Sequence, residues 1–316
     1  MAEKKIIAVV GATGAQGGGL VRAILADPAG GFAVRAITRK ASSEKAQALA
    51  KAGAQVVEAD SDDAASLKRA FTGAYCAYCV TNFWEHFSAE KEQAQARNMA
   101  EAAKAAGVKH VIWSTLEDTR RWVPLSDNRM PTLGGKWKVP HFDGKGEIDH
   151  IWKDLGVPTT LLLTSFYWEN FIYFGMGPKK GPDGKANIAM PMGDKPLSGI
   201  AAGDIGACAY GIFKAGSEYI GKTVGIAGDH VTGADMAKGF TKALGQPVGY
   251  FAMEPAAFRA LGFPGADDLG NMFQFYRDFN DDFVAARPLD RARKLNPKLQ
   301  SFEQWLAANA RAIPVS

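Results

Sequence analysis

The chain has 316 residues, of which 47% are hydrophobic, 22% charged and 10% aromatic, and its formal net charge is +4. This composition is typical of a globular protein and excludes disordered, collagen-like and low-complexity classes. Basic residues are spread among acidic ones, which predicts no direct nucleic-acid partner, and no apolar run approaches the ~18 residues that a membrane span needs. We therefore expect a cytoplasmic protein without a membrane partner, and a nuclear location as well if it is regulatory.

Short apolar segments alternate with helix-forming segments through the first half of the chain. The predicted strands are 6–10, 33–38, 55–58, 74–80, 108–114 and 159–163. The predicted helices are 17–26, 43–52, 64–71, 89–106 and 142–155. Strand–helix alternation at this spacing is typical of βαβ units. We predict an α/β fold, namely a Rossmann doubly wound parallel sheet with a smaller C-terminal α/β lobe.

Gly and Pro punctuate the second half from about residue 175, most densely at 178–184. Shorter helices are predicted at 202–214, 233–244, 254–261 and 267–276. We place a Rossmann domain at 1–165 and a smaller substrate or partner lobe at 166–316. A return of the chain to the first domain around 200–230 is left open.

A glycine-rich segment follows the first predicted strand and opens the first predicted helix. Its spacing is G-x-x-G-x-x-G, formed by Gly11, Gly14 and Gly17. Gly11 allows a tight turn, Gly14 lets backbone N–H groups approach a pyrophosphate, and Gly17 lets helix and strand pack closely. The helix N-terminus adds unpaired donors and the positive end of its dipole. The segment predicts a dinucleotide site.

The end of the second predicted strand selects between the two nicotinamide cofactors. It carries Arg39 and Lys40 and lacks the carboxylate that an NAD site uses for the ribose hydroxyls. Arg39 can grip a 2′-phosphate with Lys40 as a second charge, which favours NADP(H) by roughly ten- to a hundredfold. The alternative is that both residues begin a solvated loop. Asp60 and Asp62 are placed to hold the adenine amino group, or they cap a helix.

The catalytic set of a short-chain reductase is incomplete. Such enzymes carry Tyr-x-x-x-Lys on the fifth helix and a Ser on the preceding strand. Here Ser114 and Lys145 fit those positions, but His141 stands where the Tyr should be. His141 could transfer the proton, since imidazole titrates near neutral pH, or it is a satisfied, partly buried histidine. The only Tyr-x-x-x-Lys, Tyr210 to Lys214, is interpreted as chance spacing on a helix.

Two segments that mix aromatic and amide side chains are predicted to line the cleft. They contribute Thr81, Asn82, Tyr167, Trp168, Glu169 and Asn170. Core packing is the alternative for Phe83 and Trp168. Cys76 and Cys79 lie three residues apart on a strand, which puts their sulfurs on opposite faces, and the histidines show no ligand spacing. We predict neither a redox disulfide nor a metal.

Several stretches together carry a family resemblance. They are 11–18, 38–39, 53–54, 56–57, 80–82, 84–85, 141–147, 156–158, 169–170, 262–266 and 271–273. In these stretches the chain resembles the NmrA-like family, atypical members of the short-chain dehydrogenase superfamily, and particularly its NADPH redox-sensing type. By position, the resemblance implies NADP(H) contacts from Gly11, Ala12, Thr13, Gly14, Ala15, Gln16, Arg39, Lys145, Tyr167, Trp168, Glu169 and Asn170.

The resemblance implies regulation with little turnover, through a protein partner or homodimer that responds to the cofactor. Some relatives reduce substrates, so the alternative is an NADPH-dependent reductase of quinones, enones or related carbonyls that uses Lys145 and His141. Ala94 stands where redox-sensing members carry a lysine, which removes one cofactor contact unless Arg97 replaces it. The segment 120–138 is predicted to be a mobile lid or partner surface.

Overall fold

The structure is a computed structural model and describes residues 4–181 and 184–315. Its strands are β1 (Lys5–Val9), β2 (Phe32–Thr38), β3 (Gln55–Glu58), β4 (Cys76–Cys79), β5 (His110–Thr115), β6 (Thr159–Leu163), β7 (Phe166–Tyr167), β8 (Lys179–Lys180), β9 (Ala186–Met190), β10 (Leu197–Ile200), β11 (Thr223–Gly225), β12 (Asp229–Val231) and β13 (Val248–Ala252).

The helices follow the same chain order. They are α1 (Ala15–Leu25), α2 (Glu44–Lys51), α3 (Ala64–Phe71), α4 (Ala89–Ala106), α5 (Pro140–Ile148), α6 (His150–Asp154), α7 (Asn170–Tyr173), α8 (Ala202–Lys214), α9 (Gly233–Leu244), α10 (Pro255–Arg259), α11 (Ala266–Asp278), α12 (Asn280–Ala285), α13 (Leu289–Leu295) and α14 (Phe302–Asn309).

A seven-stranded parallel sheet forms the centre of the fold, with strand order β11-β6-β5-β4-β1-β2-β3. The order reverses between β1 and β4, which is where doubly wound folds bind ligands. The predicted fold class is confirmed. The seventh strand comes from the second half of the chain, because β11 pairs with β6.

Helices cover both faces of the sheet. Cys76 packs on the face covered by α1 and α8, and Cys79 packs on the face covered by α3 and α4. The two side chains thus lie on opposite faces of the sheet, as the strand spacing predicts, and both thiols are free and buried. Helices α1 and α8 cross closely, since a Cβ on Gly206 would lie 1.9 Å from the Leu20 backbone N. Tyr210 and Lys214 both contact Asp27 on this face, away from α5.

The second lobe contains two three-stranded sheets, β12-β10-β7 and β13-β9-β8, and a core rich in aromatic rings. In the second half of the chain, sequence patterns located helices α8 to α11 but not these short strands or helices α12 to α14, and α8 packs on the central sheet and not in this lobe. Residues 182 and 183 of the expected turn at 178–184 lie outside the described residues. Its described flank includes β8, which pairs antiparallel with β9.

The single helix predicted at 142–155 is wrong, because the structure has two helices, α5 and α6, that meet at Asp149. The ring Nδ1 of His150 hydrogen-bonds to the Glu147 carbonyl at 2.8 Å. That carbonyl would otherwise serve the helical ladder, so a side chain competes with the backbone at the break. Asp149 itself accepts hydrogen bonds from Trp113 and Thr115 on β5.

Candidate active site

The glycine-rich loop lies between β1 and α1, at the reversal of strand order. Gly11 has φ +66°, and a Cβ on Gly17 would lie 2.3 Å from the Gly11 carbonyl oxygen. Gly14 is the N-cap of α1, and among the described residues no side chain caps this helix. These features produce the tight turn and the close helix approach that the spacing predicts.

Backbone donors in this loop are left without acceptors. The N–H groups of Thr13, Ala15 and Gln16 have no hydrogen-bond partner among residues 4–181 and 184–315. Three free donors at an uncapped helix N-terminus fit the diphosphate of a dinucleotide. Ala12 differs, because it is fully buried and its N–H donates to the Ile37 carbonyl at 3.2 Å.

Polar side chains lie next to the loop in a small cluster. The Gln16 amide donates to the Tyr167 hydroxyl and accepts from the Tyr78 hydroxyl. Burial raises the pKa of both phenols, so they stay neutral at physiological pH. Ser114 is 2% exposed and hydrogen-bonds to Tyr78. The predicted catalytic serine is therefore engaged next to the loop and has no hydrogen bond to His141.

The exposed Arg39 side chain forms an ion pair with Glu85, which follows β4. The Glu85 hydrogen bond raises the pKa of Arg39, and the nearby Asp60 and Asp62 act in the same direction. Lys40 is exposed. The carboxylates of Glu85, Asp60 and Asp62 thus lie around Arg39, the residue predicted to bind the 2′-phosphate.

The two aspartates after β3 are held by local contacts. Asp60 Oδ1 accepts from the Asp62 backbone N at 2.9 Å. The Asp62 carboxylate accepts from Gln95 at 2.9 Å and pairs with Lys91 at 3.1 Å, both on α4. The cap of α3 is their neighbour Asp63.

Lys145 lies in a buried charge cluster between α4, α5 and the end of β4. Its Nζ is 2.9 Å from Glu92 Oε1 and donates to the Thr81 hydroxyl, while the Trp113 ring lies 5.1 Å away. Thr81 in turn donates to Glu92 at 2.7 Å. Glu92 Oε2 is buried without a partner among the described residues, so the cluster keeps one unused acceptor. Asn82, next in the chain, is exposed.

His141 is paired with a carboxylate from the second lobe. Its Nδ1 lies 2.6 Å from Asp268 Oδ1, and both side chains are more than nine-tenths buried. The Trp84 ring is centred 4.8 Å from the imidazole, and Phe83 and Phe142 complete an aromatic wall. Nε2 has no hydrogen-bond partner within the described chain. An imidazole held this way is one that can transfer a proton at Nε2.

The run 141–147 has specific contacts for most of its members. The fully buried Asp143 carboxylate accepts from the Thr119 N–H at 2.8 Å and the Lys138 N–H at 2.7 Å. A Cβ on Gly144 would lie 2.7 Å from the Ala89 Cβ of α4, and one on Gly146 would lie 2.3 Å from the Asp118 N. The run fixes α5 tightly, and His141 and Lys145 lie one turn apart on it.

Residues 167–170 have divided roles. The Trp168 ring is fully buried against Phe302 and Trp305, and the backbone N–H of Trp168 donates to the Ile200 carbonyl, so its position is that of a core residue. The indole N–H has no partner among the described residues. Glu169 accepts from the first N–H of α8 at 2.9 Å. The Asn170 side chain has no partner among the described residues and is half-buried.

Several contacts hold the segment 120–138 in place, contrary to what a free lid would show. Arg120 pairs with Asp118 at 2.8 Å and with Glu147 at 3.0 Å, and it stacks over Trp137. Lys138 is fully buried, and its Nζ donates to two carbonyls of the segment. Asn271 of α11 donates to the Lys138 carbonyl at 2.6 Å.

Sequence reasoning included Glu85 in a segment that lines the cleft but missed it as the partner of Arg39, and it missed Glu92 and Asp268 altogether. Glu92 had a readable signal, because it falls on the buried stripe of α4 with Ala96 and Met99, where a charge needs a partner. Asp268 had none, since it is 127 residues from His141 in the chain.

No cluster of three or more His, Cys, Asp or Glu side chains that could hold a metal occurs in the described parts of the chain. Within the same residues, no helix is both long and apolar enough to cross a membrane.

The chain is similar in sequence and in structure to proteins of one family. The profile of the NmrA-like family matches residues 3–306. The oxidoreductase FrzB of Cladobotryum sp., an NmrA-like domain protein, is 31% identical over 307 residues, covering 90% of this chain and 87% of FrzB. NmrA, a negative transcriptional regulator solved with NADP, superposes with a TM-score of 0.78 at 24% identity, covering 97% of this chain and 95% of NmrA.

NmrA has also been solved with NAD, at a TM-score of 0.78. The Citrobacter sp. triphenylmethane reductase complexed with NADP(H) has a TM-score of 0.73 at 20% identity, covering 97% of this chain and 99% of the reductase. These structural likenesses establish the shared fold, and the profile match establishes the family. The chain belongs to the NmrA-like family.

Proposed function

We propose that the protein binds NADP(H) and reduces a small quinone, enone or related carbonyl compound. The observation that carries the proposal is the His141–Asp268 pair, one helical turn from Lys145 at the end of the sheet where cofactors bind. The relatives support it, since FrzB is named an oxidoreductase and the Citrobacter neighbour a reductase.

The cofactor proposal rests on the residues that fit a dinucleotide. The free N–H groups of Thr13, Ala15 and Gln16 are placed for the diphosphate, and Arg39 is the cation nearest the predicted 2′-phosphate. Lys145 and the unused Glu92 oxygen are suited to ribose hydroxyls. Asn82 and Asn170 offer free amides. When bound, NADPH supplies a hydride.

His141 is the proposed proton donor. As an imidazolium it gives the Nε2 proton to the substrate oxygen, while Asp268 accepts from Nδ1–H and stabilises the positive charge. Phe83 is buried beside the ring, and the exposed Trp84 also packs against it. The hydride brings two electrons and one proton, and the proton from His141 is the second, so a carbonyl becomes an alcohol and a quinone becomes a hydroquinone. His141 is left neutral and takes up a proton from solvent before the next turnover.

The test is NADPH oxidation with quinones, enones and aldehydes by the wild type, His141→Phe and Lys145→Ala. We expect His141→Phe to lower the rate about 10²-fold for enones and aldehydes, and less for quinones, whose reduced oxygen is weakly basic. His110→Phe, a buried histidine on β5, is the matched control. Equal rates for the wild type and His141→Phe on every substrate class would contradict the proposal.

A second candidate is an NADP(H) sensor that regulates a protein partner or its own dimerisation. The observation that favours it is the engagement of Ser114 by Tyr78 and of Lys145 by Glu92, which leaves the usual catalytic set incomplete. A sensor needs different affinities for its two states. Tight NADPH binding, no turnover and an NADPH-dependent change in mass by light scattering would support it over the reductase.

A further inference from the structure

The Arg39–Glu85 ion pair crosses the dinucleotide cleft. Arg39 follows β2 and Glu85 follows β4, and β1 lies between these two strands in the sheet. The glycine-rich loop extends from the end of β1. The two side chains therefore meet across the strand end over which a dinucleotide must lie.

The pair is accessible to a ligand. The side chains of Arg39 and Glu85 are 62% and 44% exposed, so neither is locked by packing. Glu85 contacts Nη1 only, and Arg39 Nε and Nη2 have no partner among the described residues. A phosphate could use these donors, but its two negative charges would then lie beside the Glu85 carboxylate.

A ribose without the phosphate meets a different environment. The end of β2 carries no carboxylate, and Glu85 is the acceptor that contacts Arg39 there. A 2′-hydroxyl can donate to that carboxylate while the ion pair stays intact. Arg39 thus favours the phosphate, and Glu85 opposes it.

We propose that Glu85 sets cofactor selectivity by competing with the 2′-phosphate of NADP(H) for Arg39. The inference rests on the proposed dinucleotide site. It adds that Glu85 lowers the preference for NADP(H) over NAD(H) below the preference that Arg39 alone would give. The protein accepts NAD(H) with the ion pair closed and NADP(H) with it open.

The test is calorimetric binding of NADP⁺ and NAD⁺ to the wild type, Glu85→Gln and Glu90→Gln. Glu90 is an exposed carboxylate five residues away, so it controls for net charge. Breaking an exposed ion pair is worth a few-fold in affinity, so Glu85→Gln should raise the NADP⁺/NAD⁺ affinity ratio about two- to fivefold. Glu90→Gln should change the ratio less than twofold.

The Arg39→Ala background separates the mechanism from a general charge effect. There Glu85→Gln should raise the ratio clearly less than it does in the wild type, since it then removes only the repulsion between Glu85 and the phosphate and Arg39 is no longer competed for. An unchanged or lowered ratio in Glu85→Gln alone would overturn the proposal. Failure of the wild type to bind either dinucleotide would instead refute the dinucleotide site itself.

Discussion

The glycine-loop end of the cleft is built from backbone, whereas the α5 end is built from side chains. At the loop, Gly11 and Gly17 bring β1 and α1 together, and the N–H donors left over face no internal acceptor. At α5, His141 and Lys145 are both buried and each is held by a carboxylate on another helix. The first end depends on one short segment, and the second depends on contacts between distant parts of the chain.

This difference predicts how each end fails. A backbone-built site fails when a side chain enters the space that glycine keeps free. A side-chain-built site fails when one partner is removed and the other is left buried and unpaired.

The strongest test of the backbone end is Gly17→Val. Because even a Cβ would lie 2.3 Å from the Gly11 carbonyl, the loop must move, and we expect at least a hundredfold loss of NADP⁺ affinity. Gly18→Ala is the control, since its Cβ would meet the flexible end of Arg22 at 3.3 Å. Calorimetry measures both, and comparable affinities for the two variants would contradict the role of Gly17.

The strongest test of the side-chain end is Glu92→Ala. Removing Glu92 leaves the Lys145 ammonium buried without its carboxylate, so the free energy of unfolding should fall by about 3–5 kcal/mol. Urea denaturation measures the loss. The double variant Glu92→Leu with Lys145→Met should recover most of it; no recovery would show that packing, and not charge, holds this cluster.

A functional test of the same end is Asp268→Asn. Without the carboxylate the imidazolium of His141 is less stabilised, and kcat should fall about a hundredfold while the affinity for NADPH stays within twofold. Asp267→Asn, the exposed neighbour on α11, is the control. If kcat and NADPH affinity fell together, Asp268 would be a structural residue only.

The smallest expected effect concerns Asp149, where α5 meets α6. Burial raises its pKa to about 7. Between about pH 4 and 7 the unfolded chain releases this proton and the folded chain keeps it, so stability falls as pH rises in that window. Between pH 4.5 and 6.5 the free energy of unfolding of the wild type should fall by roughly 1–2 kcal/mol more than that of Asp149→Asn. Urea denaturation at both pH values would measure it, and equal slopes for both proteins would contradict it.

The same division explains what could be predicted. The strands and helices of the first half follow local patterns, so β1 to β6 and α1 to α4 were located within a few residues. The tight turn and the close helix approach of the glycine loop could be predicted, because they depend on residues that are close together in the chain. The break between α5 and α6 at Asp149 could not be predicted, because the His150 side chain competes for the Glu147 carbonyl there.

The partners at α5 lay beyond local patterns. Asp268 reaches His141 only when the second lobe folds onto the first, and Trp168 turned inward because its ring fills an aromatic core with Phe302 and Trp305. Long-range contacts of this kind leave no periodic signal in the sequence.

The most direct test of the central claim is single-turnover oxidation of enzyme-bound NADPH by an enone, in H₂O and in D₂O, for the wild type and His141→Phe. We predict a solvent isotope effect in the wild type and a rate about 10²-fold lower in the variant, with the effect lost. Equal rates and equal isotope effects in the two proteins would contradict proton transfer by His141.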